Sequence, residues 1–178
     1  MNIRLKLTAR ILPFSMVLFM MAGASPLNAQ VLNNEKEIDL VTTDRFQHTK
    51  TVKAGLLNVG YAETGPENGK PVILLHGWPY DIHSFEKSSA ILAGKGYRVL
   101  VPYLRGYGTT TFLSARTIRN AQQSAVALDI IKFMDALKID KAIIGGFDWG
   151  ARTADIIAAL WPERCSARSR ERIPHWQP

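Results

Sequence analysis

The sequence has one cysteine, Cys165, and four histidines among 178 residues. A single cysteine cannot form an internal disulfide, so we expect the fold to need no covalent cross-link. Histidine and cysteine are also too few and too scattered to make a recognisable ligand set, and we expect neither a metal nor a cofactor. The composition otherwise is that of one globular domain, not of a disordered or collagenous chain.

A continuous basic stripe is also lacking, although the formal net charge is +7. The positive side chains are concentrated near the two ends, at positions 4, 6 and 10 and again at positions 168, 170 and 172. Between these ends, lysine and arginine are interspersed with acids. This pattern excludes nucleic acid as a partner.

Residues 11–24, "ILPFSMVLFMMAGA", form an apolar run that is too short for a comfortable membrane span. Three cations precede this run, and Pro26 and "LNAQ" follow it. The pattern predicts a signal peptide over residues 1–29, cleaved after Ala29, and an exported protein that is periplasmic or secreted. Leu27 is larger than the residue usual at its place, so an uncleaved membrane anchor stays an alternative. Residues 30–48 are predicted to form a polar N-terminal arm.

Residues 49–165 alternate between strand-like and helix-like patterns. A hairpin is predicted around Gly55, and the runs "PVILLHG", "YRVLVPYL" and "KAIIGG" are typical of buried strands. Helices are predicted within 82–96, 117–139 and 151–161. The alternation predicts a three-layer α/β fold with a mostly parallel sheet, whose chemistry lies at the carboxyl ends of the strands.

Glycine-rich turns follow three of these predicted strands: "HGWP" at 76–79, "RGYG" at 105–108 and "GFDWG" at 146–150. The last has the pattern of a nucleophile elbow, in which Gly146 and Gly150 allow strand and helix to approach closely around Asp148. An aspartate before a helix is also a common N-terminal cap, which is the alternative for this residue. The two neighbouring turns favour the elbow.

Taken together, these turns resemble those of α/β-hydrolases of the aspartate-nucleophile branch, which includes epoxide hydrolases and haloalkane dehalogenases. The resemblance implies that Asp148 attacks a small organic epoxide or halide and forms an ester, which a histidine-activated water then hydrolyses. It also implies an oxyanion hole made by the backbone N–H groups of Trp78 and Trp149, with His76 as structural support of the turn. The Trp149 side chain would contact the leaving group or form a pocket wall. Within this resemblance, Trp78 after "HG" favours an epoxide hydrolase over a haloalkane dehalogenase.

The resemblance ends at Cys165, because the following segment, "SARSRERIPHWQP", has no apolar run. We interpret residues 166–178 as a basic tail outside the family, and the fold as incomplete through truncation or a frameshift. Its cap, last strands, general base and second acid are then missing, and His175 has no strand to position it. Such a chain is expected to be inactive or to react once. Its third buried strand, 141–146, would have an unpaired edge that invites aggregation or a partner. A non-enzymatic remnant is the alternative.

Overall fold

The computed structural model describes residues 46–170, all of which belong to one compact unit. The predicted signal peptide at 1–29, most of the predicted arm and His175 lie outside the described residues. Within residues 46–170, no helix is both long enough and apolar enough to cross a membrane.

Seven strands and three α-helices make up the described chain. The strands are β1 (Lys50–Ala54), β2 (Leu57–Thr64), β3 (Lys70–Leu75), β4 (Tyr97–Pro102), β5 (Thr111–Phe112), β6 (Ala142–Gly146) and β7 (Cys165–Arg170). The helices are α1 (Glu86–Gly94), α2 (Gln123–Ala136) and α3 (Trp149–Leu160), and short 3₁₀ segments lie at Ile82–Phe85 and Pro162–Arg164.

All seven strands form one mixed sheet with the order β1-β2-β4-β3-β6-β7, while β5 pairs with β2. Strands β4, β3, β6 and β7 are parallel, and β2 pairs antiparallel with β1, β4 and β5. The predicted parallel arrangement is therefore confirmed for the half of the sheet that carries the glycine-rich turns. The predicted hairpin around Gly55 supplies β1 and β2.

Alternate residues of each central strand face opposite sides of the sheet, as the two-residue period of a strand requires. In β3, Ile73 and Leu75 belong to the core formed with α2 and α3, whereas Val72 and Leu74 belong to the core that also contains Ile82, beside α1. Both faces of β3 are thus buried, which explains why this strand reads as a continuous apolar run.

Helix α2 begins later than the sequence pattern predicts. The predicted helix started near Thr117, whereas the structure begins it at Gln123. Its buried face contains Val126, Ile130 and Phe133, which have the three-to-four-residue spacing of a helix packed on a core. The residues before Gln123 instead approach the loop after β4, where the Asn120 carbonyl accepts a hydrogen bond from Arg105.

The edge of β6 is not unpaired, and this prediction is wrong. Strand β7 pairs with β6 in parallel over its whole length, with a register irregularity between Ala142 and Ile143. Strand pairing uses backbone N–H and C=O groups, which every residue except proline carries, so a segment without an apolar run can still pair. Cys165–Arg170 has no apolar run, so its sequence does not predict a strand.

Candidate active site

Three loops meet at the carboxyl edge of the sheet because β3 lies between β4 and β6. The chain leaves β3 after Leu75, β4 after Pro102 and β6 after Gly146, and Leu75 and Gly146 are register partners. The carboxyl ends of parallel strands on either side of a change in strand order form a crevice where ligands bind. The "HGWP", "RGYG" and "GFDWG" turns therefore come together as predicted.

Asp148 sits on a sharp turn between β6 and α3, with a backbone φ of 49° and ψ of −116°. Positive φ is uncommon for a residue other than glycine and marks a conformation that its surroundings impose. Although Asp148 stands at the N-cap position of α3, its side chain makes no capping hydrogen bond. The geometry is that of an elbow and does not support the alternative of a simple helix cap.

The glycines on either side of Asp148 are required by close backbone packing. A Cβ on Gly146 would lie 2.6 Å from the carbonyl oxygen of Leu75, and one on Gly150 would collide with that same oxygen. A Cβ on Gly77 would lie 2.6 Å from the Cβ of Asp148. Strand β3, its following turn and the start of α3 are therefore in direct contact around the acid.

The turn after β3 presents a backbone donor to Asp148. The N–H of Trp78 donates a hydrogen bond to Oδ2 of Asp148 at 3.0 Å. The Trp78 side chain itself is 68% exposed, so its ring is not what holds the turn. Trp149 is the first residue of α3, and the N–H groups of a first helical turn have no acceptor inside the helix. The helix dipole adds positive potential at the same place.

His76 is completely buried beneath this turn. Its Nε2 accepts a hydrogen bond from the N–H of Leu104 at 3.2 Å, so the proton of the neutral ring is on Nδ1, which donates to the carbonyl of Gly77 at 3.3 Å. The Tyr107 ring packs edge-on against the imidazole at 4.7 Å. Burial lowers the pKa of His76 from its usual value of 6.5, although the bond to Gly77 acts in the opposite direction.

Arg105 forms a nearly buried bidentate ion pair with Asp129 of α2. Its Nε and one terminal nitrogen donate to the two carboxylate oxygens at 2.6 and 2.7 Å. The remaining contacts run from the guanidinium to the Asn120 carbonyl at 2.8 Å, to Oδ1 of the same residue at 3.3 Å and to the Ala125 carbonyl at 3.3 Å. An arginine has five N–H donors, and five acceptors surround this one.

A cavity of about 300 Å³ opens beside the elbow. Its walls are mainly apolar and aromatic: Gly77, Trp78, Leu104, Arg105, Tyr107, Ala121, Val126 and Trp149. Burial, followed by the negative charge of Asp148, raises the pKa of the Tyr107 hydroxyl. The charge of Asp148 is therefore felt by a side chain that lines the same cavity as Trp78 and Trp149. Within residues 46–170, no cluster of three or more histidine, cysteine or acidic side chains could hold a metal ion.

Two residues of this region are not predictable from the motifs alone. Asp129 supplies the buried partner of Arg105. An acid on the mostly apolar face of a predicted helix was the available signal. Tyr107 was visible within "RGYG", but nothing in that motif indicates that its ring covers His76.

Comparison with known proteins agrees with this geometry. A model of the α/β hydrolase fold family matches residues 70–167, more than half of the chain, and the chain belongs to this family. A crystal structure of a putative epoxide hydrolase from Klebsiella pneumoniae is 60% identical and superposes with a TM-score of 0.70, over 71% of this chain and 42% of that one. The structure of potato epoxide hydrolase I is 28% identical, with a TM-score of 0.62, over 68% of this chain and 38% of that one.

Curated relatives show the same similarity. Epoxide hydrolase 2 of Siraitia grosvenorii is 31% identical over 124 residues, which cover 70% of this chain and 38% of that protein. Epoxide hydrolase B of Mycobacterium tuberculosis is 34% identical over 106 residues, which cover 59% of this chain and 29% of that protein. The chain thus spans less than half the length of these relatives.

Proposed function

We propose that this chain carries the nucleophile and oxyanion turn of an epoxide hydrolase, with Asp148 as the attacking group. The observation that carries the proposal is the combination of an elbow at φ 49° with a carboxylate that faces the Trp78 N–H at 3.0 Å instead of capping α3. The names of the similar proteins support the same reaction class.

The reaction begins with attack by a carboxylate oxygen of Asp148 on one carbon of the epoxide ring. A new C–O bond forms, the ring C–O bond at that carbon breaks, and the ring oxygen leaves with the electron pair and takes up a proton from solvent water. A carboxylate can do this without a general base because an ordinary aspartate is ionised at neutral pH. The product is a hydroxyalkyl ester on Asp148.

Hydrolysis of this ester would place negative charge on its carbonyl oxygen. Backbone N–H groups aimed at that oxygen stabilise the charge, and the N–H groups of Trp78 and Trp149 are the proposed donors. His76 is proposed to support them by its hydrogen bond to Gly77, the residue before Trp78. Since both ring nitrogens of His76 are already engaged, a role as base is not assigned to it.

The cavity favours a small, uncharged substrate. Its volume is at the lower end of the range for small-molecule sites. Arg105 is the charged side chain in its lining, and the five acceptors around its guanidinium leave it no donor for a substrate anion. Indole rings at Trp78 and Trp149 offer apolar walls beside the acid.

We further propose that the ester on Asp148 persists in this chain. A general base must be within hydrogen-bond reach of the attacking water. Among residues 46–170, no histidine lines the cavity. A single alkylation of Asp148, without turnover, is the expected behaviour.

Intact-protein mass spectrometry after incubation with styrene oxide or with a 1-haloalkane tests the proposal. Epoxide opening adds the whole mass of the epoxide, whereas halide displacement adds only the alkyl group in place of a proton. We expect one adduct with the epoxide mass. An adduct from the haloalkane alone would support the dehalogenase alternative, no adduct from either would support a non-enzymatic chain, and many turnovers of diol would show that a base is present.

The N-terminal pattern supports a proposal of export. N-terminal sequencing of the protein recovered from a fractionated bacterial host should find Gln30 as the first residue, in the periplasmic or culture fraction. A chain that keeps residues 1–29 and sediments with membranes would support the anchor alternative, and a cytoplasmic chain that keeps them would contradict export.

A further inference from the structure

The Arg105–Asp129 ion pair is connected to the proposed nucleophile by a continuous series of contacts. Arg105 follows Leu104, whose N–H donates to His76. His76 donates to Gly77, and the next residue, Trp78, donates to Asp148. We propose that Arg105 and Asp129 are positioning residues, which hold the loop after β4 so that His76 keeps the Trp78 N–H directed at Asp148. This inference rests on the proposed role of Asp148.

The loop after β4 is held on two sides. On one side, the Tyr103 N–H donates to the Gly60 carbonyl at 2.8 Å, and the Thr110 hydroxyl donates to the Tyr103 carbonyl at 2.8 Å. The Thr110 hydroxyl also accepts a hydrogen bond from the Gly60 N–H at 3.0 Å, so both backbone groups of Gly60 attach the loop to β2. On the other side, the Arg105 guanidinium attaches it to α2 through Asp129. Leu104 lies between Tyr103 and Arg105, which hold the loop on its two sides. Its N–H is therefore kept directed at Nε2 of His76.

This direction selects the tautomer of His76. An N–H that points at Nε2 requires Nε2 to be unprotonated, which puts the ring proton on Nδ1. The Nδ1 proton is the one that bonds the Gly77 carbonyl. If Leu104 moves, Nε2 loses its donor, and the ring is free to adopt the Nε2–H tautomer that histidine favours in water. The bond to Gly77, and with it the support of the Trp78 turn, is then lost.

Asp129→Asn tests this arrangement because it keeps the size of the side chain but removes its charge. Glu63→Gln is the control: Glu63 is a nearly buried carboxylate paired with Arg98 at 2.6 Å and with Lys50 at 2.7 Å, and both partners lie outside the three turns. Both variants leave an arginine without its buried partner, which is destabilising in either place. A difference in the His76 tautomer or in the reaction rate between the two variants therefore reports the location of the lost ion pair, and not the loss of stability that both variants share.

The measurement is the ring ¹⁵N spectrum of the full chain labelled with [¹⁵N]histidine at pH 8, with His76 assigned from the spectrum of His76→Gln. We expect wild type and Glu63→Gln to show the Nδ1–H tautomer, and Asp129→Asn to shift toward Nε2–H. The rate of ester formation on Asp148 should fall about 10- to 100-fold in Asp129→Asn alone, the size of loss that follows from small displacements at a reacting centre.

Should Asp129→Asn fail to fold, the spectrum of Arg105→Lys, which keeps a cation but not the five-donor geometry, decides in the same way. An unchanged His76 tautomer in the folded variant, or an equal loss of rate in Glu63→Gln, would overturn the positioning role. If no variant and not even the wild type forms an ester, the proposed function fails, yet the tautomer still tests the positioning independently.

Discussion

The backbone N–H of Trp78 donates to the Oδ2 atom of Asp148 at 3.0 Å, although the two residues are 70 positions apart in the chain. In the proposed reaction, this same donor stabilises the oxyanion that forms during hydrolysis of the ester. Oδ2 then lies where the ester carbonyl oxygen would remain, and we expect the ester bond to form at Oδ1. In the proposed reaction, the turn thus fixes which oxygen attacks before a substrate binds.

Replacing Gly150 by alanine should destabilise the protein strongly. The added Cβ collides with the backbone carbonyl of Leu75 at the centre of the sheet, and a backbone group cannot move aside as a flexible side chain can. We expect a loss of about 2–4 kcal/mol in the free energy of unfolding, measured by urea denaturation.

Gly96→Ala is the control for this variant. Gly96 has φ +83° but no atom within 4 Å of an added Cβ, so its substitution costs only backbone strain of about 1–2 kcal/mol. Equal stability losses in the two variants would show that the approach of β3 to α3 is looser than the structure indicates.

The stability of the protein should decrease as the pH falls below about 6.5 because of His76. Burial lowers the pKa of His76 in the folded state. The unfolded chain therefore takes up a proton near the ordinary pKa of about 6.5, while the folded chain takes up this proton only at a lower pH. The full stability is present above this pH, and we expect it to fall by up to about 1.4 kcal/mol per pH unit below it.

Unfolding curves measured between pH 8 and pH 5 for His76→Gln and His83→Gln separate this contribution. His83 is exposed and paired with Asp81 at 3.0 Å. The His76→Gln variant should be less stable at pH 8 but should lose the slope that begins near pH 6.5, and His83→Gln should keep that slope. A slope unchanged in His76→Gln would assign it to another group.

The strands that carry the site were predictable from the sequence because each is buried on both faces. Ile73 and Leu75 face one core and Val72 faces the other, so β3 is apolar from Pro71 to Leu75. Strands β5 and β7 lack this signal. Strand β5 has two residues, and β7 pairs with β6 through its backbone, which leaves no mark in the pattern of side chains.

The site was predictable as far as its local motifs. The glycines at 146 and 150 predict that Asp148 lies on an elbow. The position of "HGWP" at the end of a predicted parallel strand predicts that Trp78 lies near this elbow. The partner of Arg105 was not predictable, because Asp129 is 24 positions away and joins it only when α2 packs beside the loop after β4. The tautomer of His76 likewise depends on the Leu104 N–H. Every residue except proline has a backbone N–H, so this contact leaves no signal in the sequence.

Removal of residues 165–178 should expose the edge of β6. Strand β7 occupies this edge with a parallel ladder, and unpaired strand edges pair readily with other chains. We expect the shortened protein to elute as larger species in size-exclusion chromatography at a concentration at which the full chain does not. A chain that lacks only residues 171–178 keeps β7 and is the control. Identical elution of both shortened chains would show that β7 does not protect β6.

The most direct test of the central claim is the location of the adduct after reaction with styrene oxide. Peptide mapping by tandem mass spectrometry should find the added mass on Asp148 in the wild type and in the control Asp140→Asn, whose substituted acid is exposed. In Asp148→Asn, which keeps an oxygen for the Trp78 N–H but loses the carboxylate charge, the adduct should be absent. An adduct on another residue, or one that persists in Asp148→Asn, would contradict the assignment of Asp148 as the nucleophile.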